Sequence, residues 1–398
     1  MGGDAPLMSG KARASRTLRN VPRFDVRNNV PLAPFTTLGV GGPAELFALT
    51  RTEDEIEEAV SWARAAGHRL SVLGGGTNLV VSDEGIRGLV IQIGLRGRRV
   101  HHEGGDRLLT VAAGEPWDDV VAYAVSQGWS GIECLSGIPG LVGATPIQNV
   151  GAYGQEVADT VTEVRVYDRG ERLCRVLPAE ACQFQYRDSL FKSGTPERYV
   201  VLAVTFRLTD GGSPTLRYGD LERALAGRGL SSPSLADVRE GVLAVRRSKS
   251  MVLDTRDPNH RSCGSFFMNP LVSPPEAEQL VAHTGDPDMP RWPAGDGRVK
   301  LSAAWLMEQA GFRRGLRQGA VGLSSNHVLA LVAHAGARAA DVLGLARHLQ
   351  VTVRERLGVR LQPEPVFWDA PTDVGVSQPP ATRDDDSTSG GARQAARP

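Results

Sequence analysis

The stretch Ser136-Gly-Ile-Pro-Gly-Leu-Val-Gly-Ala-Thr-Pro-Ile-Gln-Asn-Val-Gly-Ala-Tyr-Gly154 decides how this chain is read. Its nineteen residues hold five glycines and two prolines and follow neither a helical nor a strand period. A segment this long without regular structure, inside a domain, is usually functional. Its N–H and C=O groups find few partners within the segment, and buried backbone has to be paired. It therefore reads as extended chain wrapped around a large polar ligand, with an ordered surface loop as the alternative. Gln148 and Asn149 add amide donors and acceptors, and Tyr153 adds a flat ring.

The flanks alternate between helical and strand patterns. Upstream, Thr52 and Glu55 form a capping box, Ile56, Val60 and Ala63 share one helical face, and Gly67 supplies the stop. A short apolar run at 70–73 reads as a buried strand that ends at Gly74-Gly75-Gly76-Thr77-Asn78. Further strands are predicted at 89–93 and 109–113, and a helix from Pro116, its first position, to Gly128. Downstream, strands are predicted at 162–167, 199–208, 328–332 and 359–367, and helices at 234–249, 302–310 and 337–357. The fold class is α+β with at least two domains, in keeping with 398 residues. Residues 1–29 and 370–398 lack periodicity and read as disordered tails.

Lys+Arg and Asp+Glu each number 45, so no net field draws the chain toward nucleic acid or anionic lipid. No run of apolar residues is long enough to span a membrane. Cys134, Cys174, Cys182 and Cys263 show neither a disulfide framework nor metal-ligand spacing, and no metal is expected. The first residues lack the apolar core of a secretory signal, so the expected location is cytoplasmic. Only four of the 45 basic residues are lysines: Lys11, Lys192, Lys249 and Lys300. Arginine is a planar fork and lysine a compact point charge, so each surviving lysine invites a reason.

Four more segments can carry chemistry. In Leu73-Gly-Gly-Gly-Thr-Asn-Leu79 the glycines let backbone amides approach a phosphate, although a plain turn has the same composition. Neither the dinucleotide fingerprint nor a Walker A pattern is present. In Cys182-Gln-Phe-Gln-Tyr-Arg-Asp-Ser-Leu-Phe-Lys192, Arg187 can clamp a carboxylate or pair with Asp188. In Gly264-Ser-Phe-Phe-Met-Asn-Pro270, Ser265 lacks the nucleophile elbow of a hydrolase, which leaves its hydroxyl open to the role of proton donor. In Leu361-Gln-Pro-Glu-Pro-Val-Phe-Trp368, Glu364 sits in an apolar strand and must be paired or neutralised, for structure or for catalysis.

Taken together, GGGTN, SGIPGxxGxxPxQNxGAYG, FxYRDSxFK, GSFFxNP and LxPE resemble, in order and spacing, the UDP-N-acetylenolpyruvoylglucosamine reductases, over about residues 31–368. The resemblance implies an FAD-binding domain of the vanillyl-alcohol-oxidase (PCMH) type at 30–212, built from α+β subdomains at 30–94 and 95–212. An α+β substrate-binding domain would follow at 213–369. It implies tightly bound FAD, held by Gly74, Gly75, Gly76, Thr77, Asn78 and Leu79. A second set would be Ile138, Pro139, Gly140, Gly143, Ala144, Thr145, Pro146, Gln148, Asn149, Gly151, Ala152 and Tyr153. Arg187, Ser265 and Glu364 carry over as the catalytic set. Tyr186, Tyr218, Lys249, Asn269, Lys300 and His327 carry over as substrate-binding residues, with Tyr218 closing over substrate in the longer of two family types and Lys249 and Asn269 on the UDP diphosphate.

The implied reaction is the NADPH-dependent reduction of the enolpyruvyl group of a UDP-sugar in peptidoglycan precursor synthesis. NADPH and sugar nucleotide would share one pocket. Hydride addition at the terminal carbon pushes charge onto the carboxylate, where Arg187 stabilises it and Ser265 delivers a proton to the adjacent carbon. Glu364 would have to be protonated, or donate through a neighbour, to help rather than repel. A flavin oxidase of the same cofactor fold would share the glycine segments but has no reason to keep Ser265 and Glu364. A monomer without nucleic-acid or membrane partners is expected. Met268, Cys263 and the stretch 324–327 depart from the family pattern.

Overall fold

The computed structural model describes residues 24–217 and 219–369, and its first strand, Arg27–Pro31, begins upstream of the expected boundary at residue 30. Phe24 is already buried, edge-on to Trp62, so the expected tail 1–29 is corrected: ordered chain starts by residue 24. Residues 1–23 and the expected tail 370–398 lie outside the described residues.

The first sheet runs Arg27–Pro31, Pro43–Thr50, Ile86–Ile93, Leu70–Leu73, the first pair antiparallel and the other two parallel. The helix Glu53–Ala65 covers one face with Ile56, Ala59, Val60 and Ala63. Its capping differs from the reciprocal box: Thr52 Oγ1 accepts from the Glu55 N–H (3.1 Å), but Glu55 Oε2 reaches one residue further back, to the Arg51 N–H (2.5 Å). Gly67 adopts φ +69° at the stop, where left-handed backbone favours glycine.

The second sheet is antiparallel throughout, in the order Leu173–Pro178, Val161–Asp168, Tyr199–Asp210, Asp106–Ala112, Arg98–Glu103, with Trp129–Ser130 pairing onto the third of these. The helix Trp117–Ser126 packs on it through Trp117, Val120, Val121 and Ala124. Pro116 is the residue before this helix, with extended ψ of 129°, rather than its first turn. One apolar core joins this sheet to the first sheet's helix-covered face.

A separate core gathers the C-terminal elements: the strands Ser262–Ser265, Ala330–Ala333 and Val321–Leu323, and the helices Pro274–Thr284, Ala303–Gln309 and Ala339–Leu357. The helix Pro274–Thr284, opened by the Ser273–Glu276 capping box, is absent from the sequence reading. The expected division at 212/213 also shifts. The helices Gly219–Ala226 and Leu235–Ser248 bury Leu221, Leu225, Val238 and Val242 against Cys134, and Arg239 forks onto Asp118 at 2.6 and 2.8 Å. They therefore sit on the cofactor-domain side.

The chain then returns. Of the expected strand 359–367 only Val366 and Phe367 are in a strand, Val366–Trp368, because Pro363 and Pro365 cannot donate to a ladder. It pairs in parallel with Leu79–Val81, directly after the glycine loop. Leu38, Val40 and Val80 enter the C-terminal core, and Arg261 donates to the carbonyls of Leu38 (3.3 Å), Gly39 (2.7 Å) and His334 (3.2 Å). The two cores are thus stitched across the cleft rather than joined by a free linker.

Candidate active site

The stretch 136–154 is a succession of tight turns, not the expected extended chain. Thr145 N–H donates to Val142 O (3.0 Å), Ile147 N–H to Ala144 O (3.3 Å) and Val150 N–H to Thr145 O (3.0 Å). Neighbours take other groups: Gly143 N–H donates to Ala113 O and Val142 N–H to Glu115 O, both at 2.9 Å, and Gly140 O accepts from Trp117 N–H at 3.0 Å. The glycine loop meets this segment face to face, since a Cβ on Gly75 would fall 3.0 Å from Gly140 Cα. Side chains at either position would push the walls apart.

Both segments line a cleft of about 2770 Å³. Single-ligand pockets are typically ~300–1,000 Å³, so this one has room for a cofactor and a substrate together. Of the residues expected at the cofactor, Gly74, Gly75, Gly76, Thr77, Asn78, Leu79, Ile138, Pro139, Gly140, Ala144, Thr145, Gln148 and Gly151 line it. Gly143, Pro146, Asn149, Ala152 and Tyr153 are set back from its wall. Asn149 is buried at φ +45° and spent internally: its Nδ2 donates to Glu156 Oε2 (2.7 Å) and Gln185 O (3.0 Å), and its Oδ1 accepts from Ala158 N–H (3.1 Å). Gly143 is required by the Ala113 contact, where a Cβ would come within 2.6 Å of the Ala113 methyl. Tyr153 instead hydrogen-bonds Arg246.

Gly76 lies at φ +61°, and a Cβ there would fall 1.9 Å from Phe35 O. Gly76→Ala is therefore expected to displace the whole loop, and the purified variant should lose most of its bound flavin absorbance. A variant retaining a full complement of flavin would show that the loop does not hold the cofactor.

Arg187, Ser265 and Glu364 all line the same cleft. Tyr186 and Arg187 form the tip of a tight hairpin closed by Gln185 N–H to Asp188 O (3.0 Å) and Asp188 N–H to Gln185 O (3.2 Å). The Arg187 fork does not pair with Asp188. It donates to Gly151 O (2.6 Å) and Asn149 O (3.3 Å), and its Nε lies 3.4 Å from Glu364 Oε1. Ser265 ends the strand Ser262–Ser265, where a register shift and Gly264 at φ +78° re-aim the chain. The next residues run antiparallel to the Glu364 segment, with Glu364 N–H donating to Phe266 O and Met268 N–H to Gln362 O, both at 2.9 Å. Phe266 and Phe267 are fully buried on either side of that pairing, which anchors Ser265 and Glu364 in one frame. Asn78 completes it: its Nδ2 donates to Gln148 and, at 3.3 Å, to Glu364 O.

The expected substrate residues divide. Tyr186 and Asn269 line the cleft. Burial raises the Tyr186 phenol, the Asn269 backbone bonds it, and Lys300 Nζ lies 5.2 Å from its ring centre, so Lys300 supports Tyr186 from behind the wall. Asn269 Oδ1 accepts from Ala303 N–H at 3.0 Å. Lys249 and His327 are also off the cleft wall but close to one another. Burial, with the charges of Lys249 and Arg314, pushes His327 down to about 4, so its ring is neutral at neutral pH and its Nδ1 accepts from Leu329 N–H (3.3 Å). Tyr218 lies outside the described residues.

Two cleft-lining cations escaped the sequence reading as site residues. Arg246, nine-tenths buried, donates to Met251 O at 2.7 Å. Lys192 Nζ donates to Arg187 O at 2.9 Å. The place of Lys192 at the end of FxYRDSxFK, the position of Arg246 three residues before Lys249, and the scarcity of lysine were the available signals. Cys263 is half-buried on the cleft, where desolvation and the charge of Glu364 push its thiol up to about 12, so it is held as the thiol at neutral pH.

Comparison with known proteins agrees with this architecture. Residues 44–176 match the FAD binding domain, and residues 257–368 match the UDP-N-acetylenolpyruvoylglucosamine reductase C-terminal domain. The UDP-N-acetylenolpyruvoylglucosamine reductase of Thermobifida fusca (strain YX) is 50% identical over 347 residues, covering 85% of this chain and 97% of that protein. That of Saccharopolyspora erythraea is 47% identical over 347 residues, covering 85% and 94%. The crystal structure of the Thermus caldophilus UDP-N-acetylenolpyruvylglucosamine reductase superposes with a TM-score of 0.59 at 27% identity, covering 87% of this chain and 99% of that one. With a glycine-walled cleft in the FAD binding domain, a matching C-terminal domain and full-length relatives at this identity, the chain belongs to the UDP-N-acetylenolpyruvoylglucosamine reductase family.

Proposed function

We propose that this chain reduces the enolpyruvyl group of UDP-N-acetylglucosamine enolpyruvate to UDP-N-acetylmuramate, with Arg187, Ser265 and Glu364 as the catalytic residues. The observation that carries the reading is that these three side chains line one cleft together with the glycine-rich segments of the FAD binding domain, with Arg187 Nε 3.4 Å from Glu364 Oε1. The fit to FAD rests on those segments, whose close approach of Gly75 to Gly140 leaves backbone rather than side chains facing the cleft. Gly74 to Leu79, Ile138, Pro139, Gly140, Ala144, Thr145, Gln148 and Gly151 would hold the cofactor. The chemistry FAD would supply there is hydride, taken from NADPH, for the terminal carbon of the enol ether.

The protein's own work is electrostatic and protonic. Arg187 presents a permanent, planar charge where the substrate carboxylate gains electron density. Glu364 lies on the Nε side of the guanidinium and the carbonyls of Gly151 and Asn149 on the Nη side, so the fork is fixed before substrate arrives. The Ser265 hydroxyl delivers a proton to the carbon next to the carboxylate; so weak an acid suffices because the enolate carbon is strongly basic. Tyr186 and Asn269 flank the sugar nucleotide, and Lys249 contributes charge toward its diphosphate. The protein acts as a cytoplasmic monomer in this reading.

The test is anaerobic mixing of the purified yellow protein with NADPH and then with UDP-N-acetylglucosamine enolpyruvate. Flavin absorbance should bleach and then return with formation of UDP-N-acetylmuramate; reduced flavin that stays bleached would refute the substrate. Lys249→Ala should raise KM for the sugar nucleotide about tenfold, roughly one charge-assisted hydrogen bond. An unchanged KM would remove Lys249 from the diphosphate.

A further inference from the structure

We propose that Lys192 is a positioning residue for Arg187: its ammonium holds the Arg187 carbonyl and thereby the aim of the guanidinium at the substrate carboxylate. This rests on the functional reading above. Arg187 is a non-glycine residue at φ +57°, a conformation that persists only where the surroundings impose it. Both turn hydrogen bonds of its hairpin belong to Gln185 and Asp188, so neither restrains the Arg187 carbonyl. Lys192 Nζ supplies that restraint at 2.9 Å.

The one-turn helix Leu190–Gly194 that carries Lys192 is itself fixed. Ser189 Oγ accepts from Phe191 N–H (3.1 Å) and donates to Ile147 O (2.6 Å), which ties the lysine to the cofactor segment. Phe191 is buried beside it, edge-on to Tyr199. Burial, joined by the charge of Arg187, lowers the ammonium below the ordinary lysine range, while Glu364 and Asp188 work to hold its proton on. A compact three-donor charge meets a single carbonyl and leaves two N–H groups for the cleft, which a bulkier planar guanidinium does only in part. That gives one lysine of an arginine-rich chain a physical reason.

The test uses the FAD-loaded protein and two ligands, UDP-N-acetylmuramate, which carries the carboxylate, and UDP-N-acetylglucosamine, which does not. Calorimetry should show Lys192→Met losing about tenfold in affinity for the first and nothing for the second. In parallel, reoxidation of the reduced flavin by the enolpyruvyl sugar nucleotide should slow more than tenfold, with reduction by NADPH at the wild-type rate. Lys192→Arg should recover part of both losses. The assignment is overturned if Lys192→Met binds both ligands as the wild type does, if both affinities fall by the same factor, or if Lys192→Arg is no better than Lys192→Met. Wild-type protein that bound neither ligand would instead refute the functional reading, and this assignment with it.

Discussion

Ser265→Ala is expected to slow reoxidation of the reduced flavin by UDP-N-acetylglucosamine enolpyruvate by about 10²–10⁴-fold, the range for loss of a general acid, while reduction by NADPH stays near the wild-type rate. The fold should not suffer. Ser265 is held by its backbone, through pairing with Ala330 and through the neighbouring Phe266, whose N–H donates to Leu329 O at 2.8 Å. Fully burying a phenylalanine is worth about 1.5–3 kcal/mol, and Phe266 and Phe267 both remain in place. Rapid-mixing absorbance of each half-reaction separately makes the measurement. Equal loss in both half-reactions would contradict the proton-donor role, because only one of them needs a proton on carbon.

Arg187→Met should lower turnover at saturating NADPH by about 10²–10³-fold, the usual cost of removing one preorganised donor to developing negative charge. Methionine keeps much of the side chain's bulk, so the expected loss is of charge and direction. It also leaves the carbonyls of Gly151 and Asn149 without this donor and Glu364 without this guanidinium. Arg187→Lys should remain at least tenfold impaired, since a single ammonium cannot serve those carbonyls, Glu364 and a carboxylate at once. Steady-state kinetics beside a thermal melt separate the outcomes. A lysine variant with wild-type turnover would show that charge alone suffices and that the fork has no role.

Much of this site was legible locally. The cap at Thr52, the stop at Gly67 and the short strand before the glycine loop follow from turn and helix preferences a few residues wide. The same holds for the helix Leu235–Ser248, expected at 234–249. The composition of 136–154 marked a functional segment, but not which of its residues face the ligand. Asn149 looked like a ligand donor and is consumed by Glu156, Gln185 and Ala158, partners that no local pattern discloses. The helix Gly219–Ala226 and its successor went to the other side of the molecule because their apolar faces match Cys134.

The sequence by itself determined which chemical groups this protein carries, in five short segments, and the resemblance that orders them. Only the tertiary structure decided that Arg187 spends its fork on Gly151, Asn149 and Glu364 rather than on Asp188, and that Lys192 stands behind it. Only the fold, too, brings Ser265 beside Glu364, through backbone hydrogen bonds between segments remote in the chain. The physical reason is range. Capping, turn and glycine preferences act over neighbouring residues, whereas the pairing of the returning strand with Leu79–Val81 joins segments remote in the chain and is supported by the C-terminal core that Val80 and Phe367 share.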